Sequence, residues 1–373
     1  MNKQIGILTY HTGFNYGASL QAFALQTTIK KLGYTCEIIN FETERFVASR
    51  EMFSRKPRRA KELIKIITRL PYYVELKRRQ LLFEEYTKSC LDTSPLYRTE
   101  DEVIEHATDY QCIVCGSDQI WNLSQDDAPA ANMLFFLNFP KHQRRVSYAA
   151  SFGKWVKYAP QSENLFLPWL KEFDAISVRE ISGLEYLRSR KIECELTLDP
   201  TVLLDKEDYE TICAPRQTEE KYVLLFSWSC SEEVINASKK VAYELKLPLY
   251  NIIPPPRAIG KRIKRKLDIG PCEFLSMIKY AEFIVTDSFH GTAFSTIFEK
   301  PYVSVVTNKT PDLRIKSLLY QLGLEDHLTD CEHINVQTMI KTDFLQVAKK
   351  KSDLRKDSVN FLKNALIVEE IND

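Results

Sequence analysis

Short apolar runs alternate with longer amphipathic stretches through most of the chain, and this alternation sets the expected architecture. Ile5 to Tyr10 reads as a first strand, followed by the loop His11-Thr12-Gly13-Phe14-Asn15-Tyr16-Gly17, a helix from about Ala18 to Leu32 closed by Gly33, and a strand from Thr35 to Asn40. Strand, helix and strand in that order imply a right-handed crossover and therefore a parallel sheet. The pattern resumes with strands at Tyr110 to Cys115, Arg145 to Ala150, Ala175 to Val178 and Glu195 to Leu198. Each ends in polar, small or charged residues, and in an open parallel sheet such ends line one crevice. A polar stretch from about Asp205 to Lys221 reads as a hinge. Beyond it, strands at Tyr222 to Ser227, Leu249 to Ile253, Glu282 to Thr286 and Tyr302 to Val306 alternate with helical segments and predict a second doubly wound domain.

The expected organisation is α/β. An N-terminal domain covers 1–205 and carries a basic helical insertion at about 45–105. A C-terminal domain covers 206–343, and a final helix in 344–373, read from about Phe344 to Ile367, could pack back on the N-terminal domain. A chain of 373 residues exceeds what one core usually organises, which suits two domains. Pro254-Pro255-Pro256-Arg257 and the basic Lys261-Arg262-Ile263-Lys264-Arg265-Lys266 read as a mobile loop.

Charge narrows the partners. With 51 Lys+Arg against 50 Asp+Glu the balance argues for neither a nucleic-acid binder nor an acidic tail, so any anion site is local. The exception is Arg45 to Lys88, with 13 Lys/Arg against 5 Glu and no Asp, densest at Phe53-Ser54-Arg55-Lys56-Pro57-Arg58-Arg59. Such a run is either a solvated helix face or a contact for an anionic membrane surface or a lipid diphosphate. The nine cysteines are scattered and mostly apolar in context. Cys112-Ile113-Val114-Cys115 has C-x-x-C spacing but no second Cys/His pair at zinc-ligand distance, so it reads as core. The N-terminus lacks a signal peptide's longer apolar core, and no run approaches the roughly 18 apolar residues of a membrane helix, so a soluble cytoplasmic protein is expected.

Chemistry concentrates at Ile284 to Ser295, a buried strand whose polar end opens a helix. Free backbone N–H groups and the positive end of the helix dipole meet there, where an anion can bind, and His290 brings a group able to exchange a proton near neutral pH. Asp287 and Ser288 are equally readable as helix caps, and His290 as structural. The first loop is Gly-x-x-x-Gly rather than Gly-x-Gly-x-x-Gly, which gives a dinucleotide little support.

Six blocks in order, Asn15 to Gln26, Gly116-Ser117-Asp118-Gln119-Ile120-Trp121-Asn122, Tyr148 to Gly153, Ser177-Val178-Arg179-Glu180, Leu198-Asp199-Pro200-Thr201 and Thr286 to Phe294, resemble the polysaccharide pyruvyl transferase family over about residues 5 to 315. The resemblance implies a fold similar to B-type glycosyltransferases, with two Rossmann-like domains facing one another across a cleft. It implies transfer of the enolpyruvyl carbon of phosphoenolpyruvate to two hydroxyls of a sugar, forming a cyclic pyruvate ketal and releasing phosphate. Phosphoenolpyruvate would be a co-substrate, with no cofactor and no metal required. The setting implied is bacterial capsule or exopolysaccharide assembly, with a polymeric or lipid-linked acceptor and, in the second case, peripheral contact with the cytoplasmic membrane face.

The resemblance places a donor-binding arginine at Arg179 and the Ser/Arg-x-His segment at Ser288-Phe289-His290. Donor contacts are expected from Arg179, Ser288, Phe289, His290, Gly291 and Thr292. Because a serine stands first in that segment, Arg314 or the Lys261 to Lys266 loop is expected to supply a further cation. A planar cation with several N–H donors suits a ligand carrying carboxylate and phosphate together. His290 is the candidate acid for protonating the methylene carbon. Asp118 and Asp199 are candidate carboxylates for taking a hydroxyl proton or orienting the histidine, or else helix caps. Asn15, Tyr16, Gly17, Asp118, Gln119 and Trp121 are the expected acceptor side, with Tyr16 and Trp121 either flat faces for a sugar or core. Arg179 could equally pair with Glu180, and His11 reads first as loop structure. Two rivals stay open: a nucleotide-sugar-dependent glycosyltransferase of the same fold, and a non-catalytic carbohydrate-binding subunit.

Overall fold

A computed structural model describes residues 5–43, 60–123, 133–141, 143–257, 263–307 and 312–367 of the chain. It divides into two compact units, one of 1–50, 88–204 and 351–373, the other of 51–87 and 205–350.

The first unit holds a six-stranded sheet in the order β2-β1-β3-β4-β5-β6, every neighbour parallel. The strands are β1 Ile5–Leu8, β2 Cys36–Ile38, β3 Cys112–Cys115, β4 Arg144–Ala150, β5 Ala175–Val178 and β6 Glu195–Leu196. β1 and β3 are buried at every position, as expected of parallel strands covered on both faces. The order reverses between β1 and β3, so the carboxyl ends of these two strands form the switch point at which such sheets bind ligands. The helix Tyr16–Lys31 begins two residues before the apolar pattern predicts, because the Asn15 side chain accepts from the amides of Gly17 at 3.0 Å and Ala18 at 3.3 Å. Cys112 and Cys115 are fully buried core residues of β3, and desolvation pushes the Cys112 thiol up to about 12.

The helix Phe344–Ala365 ends two residues short of expectation, and its part from Lys351 onward belongs to the first unit. There Ser358 accepts from the Leu198 amide at 3.0 Å, Phe361 packs beside Tyr148, and Arg144 Nε donates to the Ala365 carbonyl at 2.5 Å.

The second unit has strands β7 Val223–Phe226, β8 Leu249–Asn251, β9 Lys264–Arg265, β10 Phe283–Thr286, β11 Tyr302–Val305 and β12 Leu328–Thr329, again all parallel. Their order, β12-β11-β10-β7-β8-β9, is that of a doubly wound nucleotide-binding sheet, with its switch point between β7 and β10. β9 and β12 are unmarked in the hydrophobic pattern. β9 lies within the basic stretch expected to be a mobile loop: Lys264 and Arg265 pair with Tyr250 and Asn251, and Lys264 forms an ion pair with Glu220 at 2.7 Å. Lys261 and Arg262 lie outside the described residues.

The basic segment expected as an insertion of the N-terminal domain belongs, up to Thr87, to the second unit instead. Arg79 is fully buried and donates to the Ile252 carbonyl at 3.0 Å, while Arg69 Nε donates to the Pro255 carbonyl at 2.9 Å. Gly270 lies against the same segment, since a β-carbon there would come within 2.6 Å of Leu82 Cβ. Phe53 to Arg59, the densest basic run, lies outside the described residues. Among those described, no helix is long and apolar enough to cross a membrane.

Candidate functional site

In the first unit the ends of β3, β5 and β6 bring Asp118, Arg179 and Asp199 together. Arg179 Nη1 donates to Asp199 Oδ2 at 2.6 Å and Nη2 to Asp118 Oδ1 at 3.2 Å, with Glu180 3.9 Å from Nε. All four residues are buried, Arg179 being 3% exposed and Asp118, the most accessible, 7%. Neutral donors complete the cluster. Ser117 Oγ donates to Asp199 at 3.1 Å, and the Thr201 hydroxyl and amide donate to its other oxygen at 2.7 and 3.0 Å. Glu180 accepts from Ser151 Oγ at 3.0 Å and from the Phe152 and Gly153 amides at 2.9 and 3.2 Å. A charged group taken from water needs partners of this kind, and three carboxylates beside one guanidinium need all of them.

This geometry changes the expected role of Arg179. It does not present an open fork to a donor; both terminal nitrogens already bind aspartates, and its principal partners are Asp199 and Asp118 rather than Glu180. Asp199 is likewise a cap and a counter-ion: its side chain accepts from the Thr201 amide at the start of the short helix Pro200–Leu203. Asp118 sits in left-handed backbone with φ 66° directly after Gly116-Ser117. Gly116, with φ 128°, passes so close to β4 that a β-carbon would lie 2.2 Å from the Tyr148 carbonyl oxygen. Ser117 is in turn held by Gln21, whose Oε1 accepts from its amide at 3.1 Å while Nε2 donates to Thr9 and Tyr10. Thus Gln21 braces the β1 and β3 ends, a role that only its position in the helix Tyr16–Lys31 hinted at.

The acceptor residues fare unevenly. Tyr16 and Trp121 are fully buried. Trp121 donates to the Phe135 carbonyl at 3.0 Å and stacks on Phe136, so neither ring offers a face to a sugar. Asn15 is spent on the helix cap, and Gly17 is one of the two amides it holds. Gln119 is partly exposed and accepts from Asn122 at 3.0 Å. His11 is structural, held at 3.1 Å from the Thr9 carbonyl and 3.0 Å from Asn40.

In the second unit, β10 ends at Thr286 and the helix Phe289–Ile297 begins three residues later, with Ser288 as its cap toward the Gly291 amide at 3.5 Å. Thr286 Oγ1 ties the junction to β7 by donating to the Phe226 carbonyl at 2.6 Å and accepting from the Ser288 amide at 3.0 Å. A β-carbon on Gly291 would come within 2.2 Å of that Thr286 oxygen, so glycine is what lets the helix start so near the sheet. His290 lies in the first turn, 7% exposed. Thr292 is inward, sharing a hydrogen bond with Ser304 at 2.7 Å, and the Phe289 side chain is buried.

Sequence reading missed the β7 side of this switch point. Ser229 donates to Asp287, and Arg257, exposed after β8, lies 5.8 Å above the Trp228 ring. The Cys230 thiol is pushed up to about 11, chiefly by burial and then by the Asp287 carboxylate, with Arg257 acting against it. The only sequence signal was a strand ending in serines. Arg314, expected to supply a cation, is instead held by Asp312 in a two-point ion pair at 2.9 and 2.6 Å. In the expected basic loop, Lys266 pairs with Asp268 at 3.3 Å and Arg265 donates to the Arg257 carbonyl at 3.3 Å.

Two parallel-sheet α/β units of this construction make a fold of the B-type glycosyltransferase kind. Similar solved structures include a UDP-N-acetylglucosamine 2-epimerase with TM-score 0.53 at 12% identity, covering 96% of this chain and 95% of that one. The UDP-GlcNAc 2-epimerase of Methanocaldococcus jannaschii, in complex with UDP-GlcNAc and UDP, has TM-score 0.51 at 12% identity over 91% and 93% of the two chains. At that identity the likeness concerns the fold alone. No curated protein matches the sequence. The polysaccharide pyruvyl transferase family model matches residues 15–309, and the chain belongs to that family of transferases.

Proposed function

We propose that the protein uses phosphoenolpyruvate to place a cyclic pyruvate ketal on a sugar of a bacterial cell-surface polysaccharide or its lipid-linked precursor. The reading rests on family membership together with one observation: the carboxyl ends of β7 and β10 in the second unit carry a helix N-terminus with Ser288 and His290, and Arg257 over Trp228 on the β7 side. The phosphate and carboxylate of the donor suit the positive end of that helix and the Arg257 guanidinium. His290 gives a proton to the methylene carbon, which becomes a methyl group, and the adjacent carbon takes on oxocarbenium character. Two sugar hydroxyl oxygens bond to that carbon and phosphate leaves with the electrons of the C–O bond. Of the two hydroxyl protons released, one restores His290 and the other leaves on phosphate or Asp287. In the first unit, Arg179 acts by positioning Asp118 and Asp199.

Thermal unfolding with phosphoenolpyruvate and with a panel of nucleotide sugars tests this. A ligand at about 100 times its Kd stabilises the folded state by about 2.7 kcal/mol, a measurable shift. Phosphoenolpyruvate should stabilise the wild type, and Arg257→Ala should remove the shift. Stabilisation by UDP-GlcNAc and not by phosphoenolpyruvate would overturn the proposal in favour of a nucleotide-sugar enzyme.

A further inference from the structure

The second unit wears part of its hydrophobicity on the outside. In the helix Ala60–Arg69 and the continuing Leu70 to Cys90 segment, the buried positions include Arg69 and Arg79, both held by backbone carbonyls. The outward positions are Leu63, Ile67, Leu70 and Val74, which are 50%, 60%, 64% and 76% exposed, joined by Ile64 and, further on, Leu81. Spacings of four, three and four put the first four on one side of a helical path, and the inward row Leu76, Arg79, Phe83, Tyr86 confirms which side faces the protein. Scattered apolar side chains on a surface need no explanation; a continuous row this exposed marks a contact.

The occupant follows from charge. Lys77 and Arg78 are exposed on the same face, between Val74 and Leu81, Arg78 lying 3.7 Å from Asp268, with Glu75 exposed at the flank and Glu84 and Glu85 beyond Leu81. The surrounding sequence from Arg45 to Lys88 carries 13 Lys/Arg against 5 Glu, and of these cations Arg69 and Arg79 are turned inward. A two-fold contact with a second copy would set these cations against themselves, whereas an anionic lipid surface complements them while taking up the apolar row. We propose that this face seats the protein on an anionic bilayer, with Leu63, Ile67, Leu70 and Val74 entering the headgroup boundary and Lys77 and Arg78 on lipid phosphates. The inference does not depend on the identity of the donor.

Flotation of the full chain with vesicles tests it, using an equal mixture of phosphatidylglycerol and phosphatidylcholine against phosphatidylcholine alone. The wild type should float with the anionic vesicles, less so as salt rises, and remain behind with the neutral ones. Ile67→Ser/Leu70→Ser/Val74→Ser should weaken the partition about a hundred-fold with its melting temperature unchanged. Lys77→Glu and Arg78→Gln should each weaken it about five-fold, and they carry the test if the triple variant misfolds. Wild type left in the aqueous fraction, or a triple variant that floats like wild type, would overturn the proposal. So would a wild-type dimer in sedimentation that the triple variant dissolves without any vesicle binding, which would assign the face to a second copy.

Discussion

Replacing Arg179 by methionine keeps most of the side-chain volume and removes a guanidinium that Asp118, Asp199 and Glu180 surround. Arg179 bonds at 2.6 and 3.2 Å, and its side chain and that of Asp199 are 1% and 0% exposed, so water cannot take over. Breaking such a buried pair by deleting one partner costs about 3–5 kcal/mol. For a unit of about this size that is a fall of roughly 6–20 °C in melting temperature. Circular dichroism melts should show the loss at neutral pH and a smaller loss toward pH 5, because carboxylates buried without a counter-ion are relieved by taking up protons. Arg179→Met with Asp199→Asn should be less damaged than the sum of the two single changes, since the second removes the charge the first strands. The stabilisation by phosphoenolpyruvate should survive in Arg179→Met at suitably lower temperature. A melting temperature within about 2 °C of wild type, with the phosphoenolpyruvate shift lost, would refute the reasoning and make Arg179 a donor ligand after all.

Further expectations concern other parts of the two units. Gly291→Ala forces a β-carbon against Thr286 and Phe226 and should cost about 1–3 kcal/mol in chemical denaturation; an unchanged midpoint would mean the junction is looser than its geometry. Asn15→Ala should cost about 1 kcal/mol through loss of its two cap bonds, read the same way. Burial holds the His327 imidazole below its usual range, between the Tyr302 carbonyl and Thr342, so the unfolded chain binds its proton more readily than the folded one. That contribution is complete above the ordinary histidine range and is lost as pH falls below it, and the loss of melting temperature between pH 7.5 and pH 5, roughly bracketing the unperturbed value, should shrink in His327→Gln. Cys112 and Cys115 should resist a thiol reagent in the native protein and react only on unfolding, which counting modified cysteines by mass would check.

What could be read from the chain in advance follows from how each element earns its stability. Strands β1, β3, β5, β7, β10 and β11 are buried on both faces, so their apolar runs announce them within a residue or two. β9 and β12 are two residues each, exposed or half-buried, and carry no apolar run that would mark them in the side-chain pattern. The residues that gather at the strand ends, Asp118, Arg179, Asp199, Ser288 and His290, were visible because polar residues after a buried strand are unusual. Their partners were not. Whether Arg179 greets a ligand or two aspartates depends on contacts 20 and 61 positions away, and Arg314 was claimed by a neighbour two positions back. The basic segment misled for a related reason: charge predicts exposure, yet Arg69 and Arg79 point inward and Ile64 and Ile67 outward.

The second unit is assembled from two stretches of chain separated by more than a hundred residues of the first, and the first unit recovers its last stretch only after Lys350. During synthesis, then, neither unit can close early. The helices of 60–87 emerge with their arginines waiting for carbonyls at Ile252 and Pro255, and the first sheet stands without its Ser358 and Phe361 cover until those residues have left the ribosome. A fragment cut at Asp205 would therefore be no free-standing half of the protein, and a cut at Lys351 would injure the sheet of β1 to β6, far from it in sequence.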